Sequence, residues 1–310
     1  MGALMFAAAP SFGQVGNFPS KPIRIVVPFA PGGSEEVNRR MYIEKLTQQT
    51  GWQWVLDFKT GAGGTLGTTY VAKSSPDGHT LLQATAGFSV VNATYRTPPF
   101  DPLELEPVSM VHRYYSMLTV PGNSRFKNLN EYLAFARENP GKINVGHNGN
   151  GSVTHLALAW LHNITNTKVV FIPYKGGGDL NVALLAGQVD ISSLGFTPHV
   201  KTGKLRRLAV PSDQRLPDMP DLQTVAESVP GYEWSNWTGF LAPGKTPKAI
   251  VDRISLEFQK AAKDPDSVKR LAAGGFQSVG STPEQYRKVI ATDVARWVKV
   301  AKDIGYQPED

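Results

Sequence analysis

Short apolar runs alternate along this chain with stretches of helical periodicity, and that alternation constrains the fold more than any other feature. Ile23–Val27 (Ile-Arg-Ile-Val-Val) is ended by Pro28. Trp54–Phe58 and residues 80–83, 143–145, 169–172, 189–194 and 208–210 share its length and β-branched content, which favours strand over helix. Between them, Leu129, Tyr132, Leu133 and Ala136 fall at i, i+3, i+4 and i+7. They follow an Asn128 cap with Glu131 at the third helical position, and Pro140-Gly141 ends the run. Leu180, Ala183, Leu184 and Gly187 repeat the spacing. So do Tyr286, Val289, Ile290, Val294, Trp297, Val298 and Ala301, behind a Thr282 cap and Pro283. Strands alternating with helices predict an α/β fold with parallel sheets covered on both faces, and ligand sites where strands run into helix N-termini.

The chain has 310 residues, enough for one large domain or two ordinary ones, and 41% of them are hydrophobic. The absence of cysteine excludes a disulfide framework, a thiolate metal site and a cysteine nucleophile. The formal net charge is +6, but Lys and Arg are scattered, and only residues 201–207 are mildly dense. That run reads as a solvated basic surface. Without zinc-finger spacing or an aromatic RNA-binding pattern, no nucleic-acid partner is expected. No stretch approaches the ~18 apolar residues of a membrane span. Residues 1–13 are apolar and then small. They read either as the back half of a secretory signal, cleaved before Gln14, or as a tail without structural role.

Three strand-to-helix turns share one chemistry. Phe29, Ala30, Pro31, Gly32, Gly33 and Ser34 follow the first strand, with Ser34 suited to cap a helix starting near Glu35. Gly61-Ala-Gly-Gly-Thr65 follows the second. It fails the dinucleotide fingerprint because Leu66 stands where the third glycine belongs. Gly146-His-Asn-Gly-Asn-Gly-Ser-Val-Thr-His155 opens a helix through Leu156, Ala159 and Trp160. Each turn can offer backbone N–H groups, hydroxyls and glycine flexibility to an anion. His147 is either a cationic partner for that anion or a solvated loop residue.

Enzyme motifs fail on inspection. Gly239-Phe-Leu-Ala-Pro-Gly-Lys-Thr246 matches the phosphate-loop pattern by letter. Yet Pro243 has no N–H to give a phosphate, Phe240 and Leu241 read as a buried strand end, and Thr246 and Pro247 read as N-cap and first residue of the next helix. Ser152 and His155 lie three apart on one helix start, without an orienting acid. His155 and His162 lack a third metal ligand nearby. Asp190 reads as a polar residue at a strand edge. No catalytic residue, metal or cofactor is therefore expected.

At these turns the sequence resembles the Bug family, the solute-binding receptors of tripartite tricarboxylate transporters. The resemblance rests on Pro19-Ser-Lys-Pro-Ile-Arg-Ile-Val-Val-Pro-Phe-Ala-Pro-Gly-Gly-Ser34, Gly61-Ala-Gly-Gly-Thr65, Ser75-Pro-Asp-Gly-His-Thr-Leu-Leu82 and Gly149-Asn-Gly-Ser152 with His155. Pro173-Tyr-Lys-Gly-Gly177, Leu185-Ala-Gly-Gln-Val-Asp190, Ala242-Pro-Gly-Lys-Thr-Pro-Lys248 and Gly280-Ser-Thr-Pro-Glu284 continue it in order. It implies a two-lobed type II periplasmic-binding-protein fold with a hinged cleft. One lobe would comprise residues 18–121 and 239–310 and the other residues 122–238, after a residual signal at 1–17. The chain would cross near residues 120–122 and 237–239. It further implies a monomeric periplasmic receptor that hands a small carboxylate to membrane transporter subunits. Ala30, Pro31, Gly32, Gly33 and Ser34 with Gly63, Gly64 and Thr65 would hold one carboxylate. Thr85 and Ala86 would line the same pocket, and Asn150, Ser152, Val153, Thr154 and the loop at 195–197 would face them.

Three departures from the family pattern bear on the ligand. Glu35-Glu36 replaces the usual Ser/Thr-Asp, Leu194-Gly-Phe196 replaces Phe-Asp-Asn, and His147 stands where a small or hydroxylic residue is usual. The last two suggest a ligand without an amine and with a second negative group, a dicarboxylate. Phe29 and Phe196 either sandwich its apolar or aromatic spacer or belong to the core. The competing readings are a hydrolase using the same cleft and the effector domain of a transcription regulator. The second lacks a DNA-binding segment here.

Overall fold

The computed structural model describes residues 18–31, 33–194 and 198–308. The signal reading on residues 1–17, together with Gly32 and Phe196, lies outside them, as does the side chain of Ser34.

Two sheets organise the molecule. The first contains β1 (Ile23–Val27), β2 (Trp54–Phe58), β3 (Thr80–Thr85), β4 (Glu106–Tyr114), β10 (Asn236–Ala242) and β11 (Gln277–Ser278), in the order β11-β4-β10-β3-β1-β2. The second contains β5 (Met117–Pro121), β6 (Asn144–His147), β7 (Val170–Pro173), β8 (Ile191–Leu194) and β9 (Leu205–Ala209), in the order β7-β6-β8-β5-β9. The helices in chain order are α1 (Gly33–Thr50), α2 (Thr65–Ala72), α3 (Val91–Thr94), α4 (Leu129–Glu138), α5 (Val153–Ile164), α6 (Gly177–Leu185), α7 (Pro198–Lys201), α8 (Lys248–Lys263), α9 (Pro265–Ala273) and α10 (Pro283–Asp303).

Why β1 is nearly all apolar follows from its position. Ile23, Ile25 and Val27 face a core shared with Met41, Tyr42 and Leu46 of α1 and with Ile254 and Phe258 of α8. Val26 faces the opposite core, with Val71 of α2 and Tyr286 and Ile290 of α10. A strand covered on both faces loses the polar half of its alternation. In the second sheet, Val145 and Ile191 pack with Leu129, Tyr132 and Leu133 of α4. The α4 cap is as expected: Asn128 accepts from Glu131 N at 2.9 Å. Thr282 and Gln285 form a reciprocal capping box on α10.

The expectation of parallel sheets needs correction, because both are mixed. β10 runs antiparallel to β3 and β4, and β5 runs antiparallel to β8 and β9. Each of these strands is the one that brings the chain in from the other sheet. The sheet changes fall at Tyr115-Ser116, between β4 and β5, and just before Asn236. The first precedes the expected 120–122, which lies at the end of β5, and the second lies within a few residues of the expected 237–239, which falls within β10. Asn236 Nδ2 donates to Ser116 Oγ at 2.9 Å, so the two crossings lie side by side.

Two cap assignments also shift. α1 opens at Gly33, which places Ser34 in its first turn rather than at its cap. Pro247, not Thr246, caps α8, because the Thr246 hydroxyl closes the preceding turn on the Pro243 carbonyl at 2.8 Å. The phosphate-loop look-alike is structural: Phe240 and Leu241 are buried in β10, and a Cβ on Gly239 would sit 2.5 Å from the Tyr286 ring.

Candidate functional site

Where strands of both sheets end, their loops enclose a cavity of about 730 Å³, within the range of small-molecule sites. From the first sheet come Pro28, Phe29 and Ala30 after β1, Thr60 to Thr65 after β2, and Thr85 and Gly87 at the end of β3. From the second come Asn148, Asn150, Gly151, Ser152, Val153 and Thr154 after β6, and Lys175 after β7. Phe88, Val90, Val91, Tyr95 and Phe100 supply an apolar wall, with Phe88 and Phe100 stacked 5.4 Å apart at 15°. Asn236 and Tyr306 complete the lining. Among the described residues lining this cavity, Lys175 is the one charged side chain.

The β2–α2 turn is built for a close approach of backbone. Gly61, Gly63 and Gly64 have φ of 133°, 63° and 96°. These are left-handed values that glycine adopts without strain. Gly64 is the cap residue of α2, so no side chain occupies the first-turn N–H groups. A Cβ on Gly64 would come within 3.3 Å of the Phe29 ring, which packs against it. The β6–α5 turn is held from within. Ser152 Oγ donates to the Gly149 carbonyl at 2.7 Å and accepts from His155 N at 3.2 Å, capping α5. His147 Nδ1 lies 3.0 Å from the Gly149 carbonyl, and Gly151 N donates to His155 Nδ1 at 3.1 Å.

Most of the sequence-selected positions converge here. Phe29, Ala30, Gly63, Gly64, Thr65, Thr85, Asn150, Ser152, Val153 and Thr154 line the one cavity. Pro31 is exposed beside it, and Ala86 is buried behind Gly87, which takes the lining position instead. His147 is the clear correction. It is the last residue of β6, fully buried, and absent from the lining. Its ring stacks on His155 with centroids 4.3 Å apart at 17°. Burial lowers its pKa, only partly offset by the Gly149 carbonyl, so it is neutral at pH 7. A neutral imidazole behind the wall cannot balance a ligand's charge; its work is to hold the Gly149 turn.

The acids at the start of α1 also turn away from the cavity. Glu35 lies 3.2 Å from His112 Nε2 and accepts from Thr238 Oγ1 at 3.1 Å, tying α1 to β4 and β10. Burial opposes its charge, but His112, Thr238 and Arg39 outweigh burial and hold the carboxyl below its ordinary value. Glu36 pairs with Arg40 one turn on.

Among the described lining residues no nucleophile–base pair stands together. The Ser152 hydroxyl is spent on the cap, and His155 is held neutral, its pKa lowered to about 4 by burial and by His147. His162 is buried against the Tyr132 hydroxyl at 3.0 Å and the Thr167 hydroxyl at 2.7 Å. No cluster of metal-ligating side chains occurs among the described residues.

Sequence reading passed over Lys175 although the signal was present. Pro173-Tyr-Lys-Gly-Gly177 is a fourth strand-to-helix turn, between β7 and α6, of the kind that selected the other three. The apolar wall and Tyr306 carried no such signal, because they lie past Thr85 and Ala86, from Phe88 to Phe100, and beyond α10.

Comparison with known proteins fits this architecture. Residues 38–306 match the tripartite tricarboxylate transporter family receptor. Protein BugT of Bordetella pertussis is 34% identical over 296 residues, which cover 93% of this chain and 91% of BugT. Among solved structures, the periplasmic binding protein BugD superposes with a TM-score of 0.80 at 32% identity, over 94% of this chain and all (100%) of that one. An R. palustris protein solved with adipate superposes with a TM-score of 0.82 at 29% identity, over 94% and 100%. With two mixed sheets, a cavity walled by loops from both and a match over most of its length, the chain belongs to the Bug family of tripartite tricarboxylate transporter receptors.

Proposed function

We propose that this receptor binds a small organic dicarboxylate in the cavity between its sheets, in the periplasm, and presents it to the membrane subunits of its transporter. One observation carries the reading. Among the described residues, the cavity is lined by glycine turns, hydroxyls and amides with no carboxylate side chain. Such a lining suits an anion and opposes a cation or a free amine. The ligand's first carboxylate sits against Ala30 and the Gly63, Gly64 and Thr65 turn, and Asn150, Ser152 and Thr154 approach from the other side. Its apolar spacer, aliphatic or aromatic as in terephthalate or phthalate, rests near Phe29, Phe88 and Phe100. The relative solved with adipate supports this class.

The lobes in this reading are residues 18–114 with 236–308, and residues 117–235. They close about Tyr115-Ser116 and the start of β10 while the protein stays monomeric.

A thermal-shift panel tests the proposal. It comprises C4–C6 dicarboxylates, tricarboxylates, terephthalate, phthalate, benzoate, nicotinate and amino acids. A dicarboxylate at about 100 times its Kd is expected to add roughly 2.7 kcal/mol, a rise of several degrees in Tm. Stabilisation by amino acids alone removes the dicarboxylate and keeps the receptor. No response to any carboxylate removes the carboxylate reading altogether.

A further inference from the structure

We propose that Lys175 is the specificity-determining residue of this cleft: its ammonium pairs with the distal carboxylate of the ligand and selects dianions over monoanions. The inference rests on the dicarboxylate reading above and assigns the half of the ligand that the glycine turns do not hold.

A second carboxylate brought into a partly enclosed cleft needs a cation or several donors, since an unpaired charge there is costly. His147, the cation expected from the sequence, is buried, neutral and behind the wall. Lys175 remains as the one charged side chain among the described lining residues, and no described acid pairs with it. Its place in the fold is also suited. Gly63, Gly64 and Thr65 belong to the first sheet, whereas Lys175 follows β7 of the second. A ligand held at one end by the first set therefore meets Lys175 from the other half of the molecule.

The backbone beneath Lys175 is fixed while its side chain is exposed. β6 and β7 pair in register up to His147 and Pro173, and Tyr174 N donates to the His147 carbonyl at 2.9 Å. Gly176 then caps α6, its carbonyl accepting from Leu180 N at 3.1 Å. His147 thus acts on this end of the cleft through its main chain, holding the turn that presents Lys175. A lysine is a compact charge on a flexible stem, unlike the rigid fork of arginine. Recognition of this kind counts the ligand's charges more strictly than it measures the ligand's length.

Titration calorimetry on the full chain decides it, with adipate and terephthalate as ligands and their monomethyl esters as monoanions of matched size. The wild type is expected to prefer each dianion over its half-ester by about tenfold or more. Lys175→Gln should weaken the dianions by about tenfold and leave the half-esters within about twofold, collapsing the preference. Lys175→Arg should keep most of it. If Lys175→Gln retains the wild-type preference, or weakens dianion and half-ester alike, Lys175 does not read the second carboxylate and the proposal is overturned. Equal wild-type affinity for dianion and half-ester overturns it too, with carboxylate binding left standing. Binding of neither ligand class by the wild type is a different result: it removes six-carbon and aromatic dicarboxylates as ligands and overturns this assignment, while the wider carboxylate reading stands or falls on the thermal-shift panel.

Discussion

Replacing Trp237 with alanine is expected to lower the free energy of unfolding by about 3–5 kcal/mol, among the largest single losses this chain can suffer. Trp237 follows the second crossing on β10, between β3 and β4, and is 1% exposed. Its ring stands edge-on to Tyr286 of α10 with centroids 5.2 Å apart. Its indole N–H donates to Asp293 Oδ2 at 2.8 Å. Truncation opens a void in the main core and leaves Asp293 Oδ2 without its donor, while Arg296 still pairs with Oδ1. Burial already raises the Asp293 pKa, against the opposing pull of Arg296 and of this indole. Trp237→Phe keeps most of the volume and loses the hydrogen bond, for about 1–3 kcal/mol. Urea unfolding with an unchanged m-value measures both. A loss under about 1 kcal/mol for the alanine variant would mean that this seam does not support the fold.

Acid should weaken the protein well above the pH at which its carboxylates titrate. Burial lowers the pKa of His155 and His162 to about 4 in the folded chain, from 6.5 ordinarily. The unfolded chain therefore takes up these protons first. Their contribution to stability is whole above about pH 6.5 and is lost as pH falls toward 4, at roughly 1.4 kcal/mol per pH unit for each histidine. Lowered carboxylates such as Glu35 have the same sign, but their contribution begins to go only near their ordinary value of 4.5. The interval from 6.5 to 4.5 thus reports mainly the histidines. Protonating His155 in the folded chain also removes the acceptor of the Gly151 N–H, so ligand affinity should hold through this interval and fall only as pH approaches 4. Unfolding midpoints at pH 7, 6 and 5 measure the slope, and His162→Gln should reduce it by about one histidine's share. A flat profile above pH 5 would contradict the burial of both rings.

How much of this was legible beforehand depended on whether a feature is local. The strands at Ile23–Val27 and Trp54–Phe58 and the caps at Asn128 and Thr282 were readable, because periodicity and capping act within a few residues. The antiparallel course of β10 and β5 was not, since it follows from which sheet the chain last left. His147 shows the same limit at the site. A histidine at the end of a β-strand, beside glycines, looks solvated, but the stacked ring of His155 and the neighbouring Phe171 close over it. Neither neighbour can be placed on it from spacing alone. Lys175 failed the other way: its turn had the right local signature, and only the assembled cavity gives it weight.

A crystal structure of the chain with its best-binding dicarboxylate is the most direct test of the central claim. The expected result places one carboxylate on the backbone at Ala30 and at the Gly63 to Thr65 turn, with the other half of the ligand beside the residues that follow β6 and β7. A ligand bound outside the cleft, or one seated there with its carboxylates turned to solvent, would contradict it.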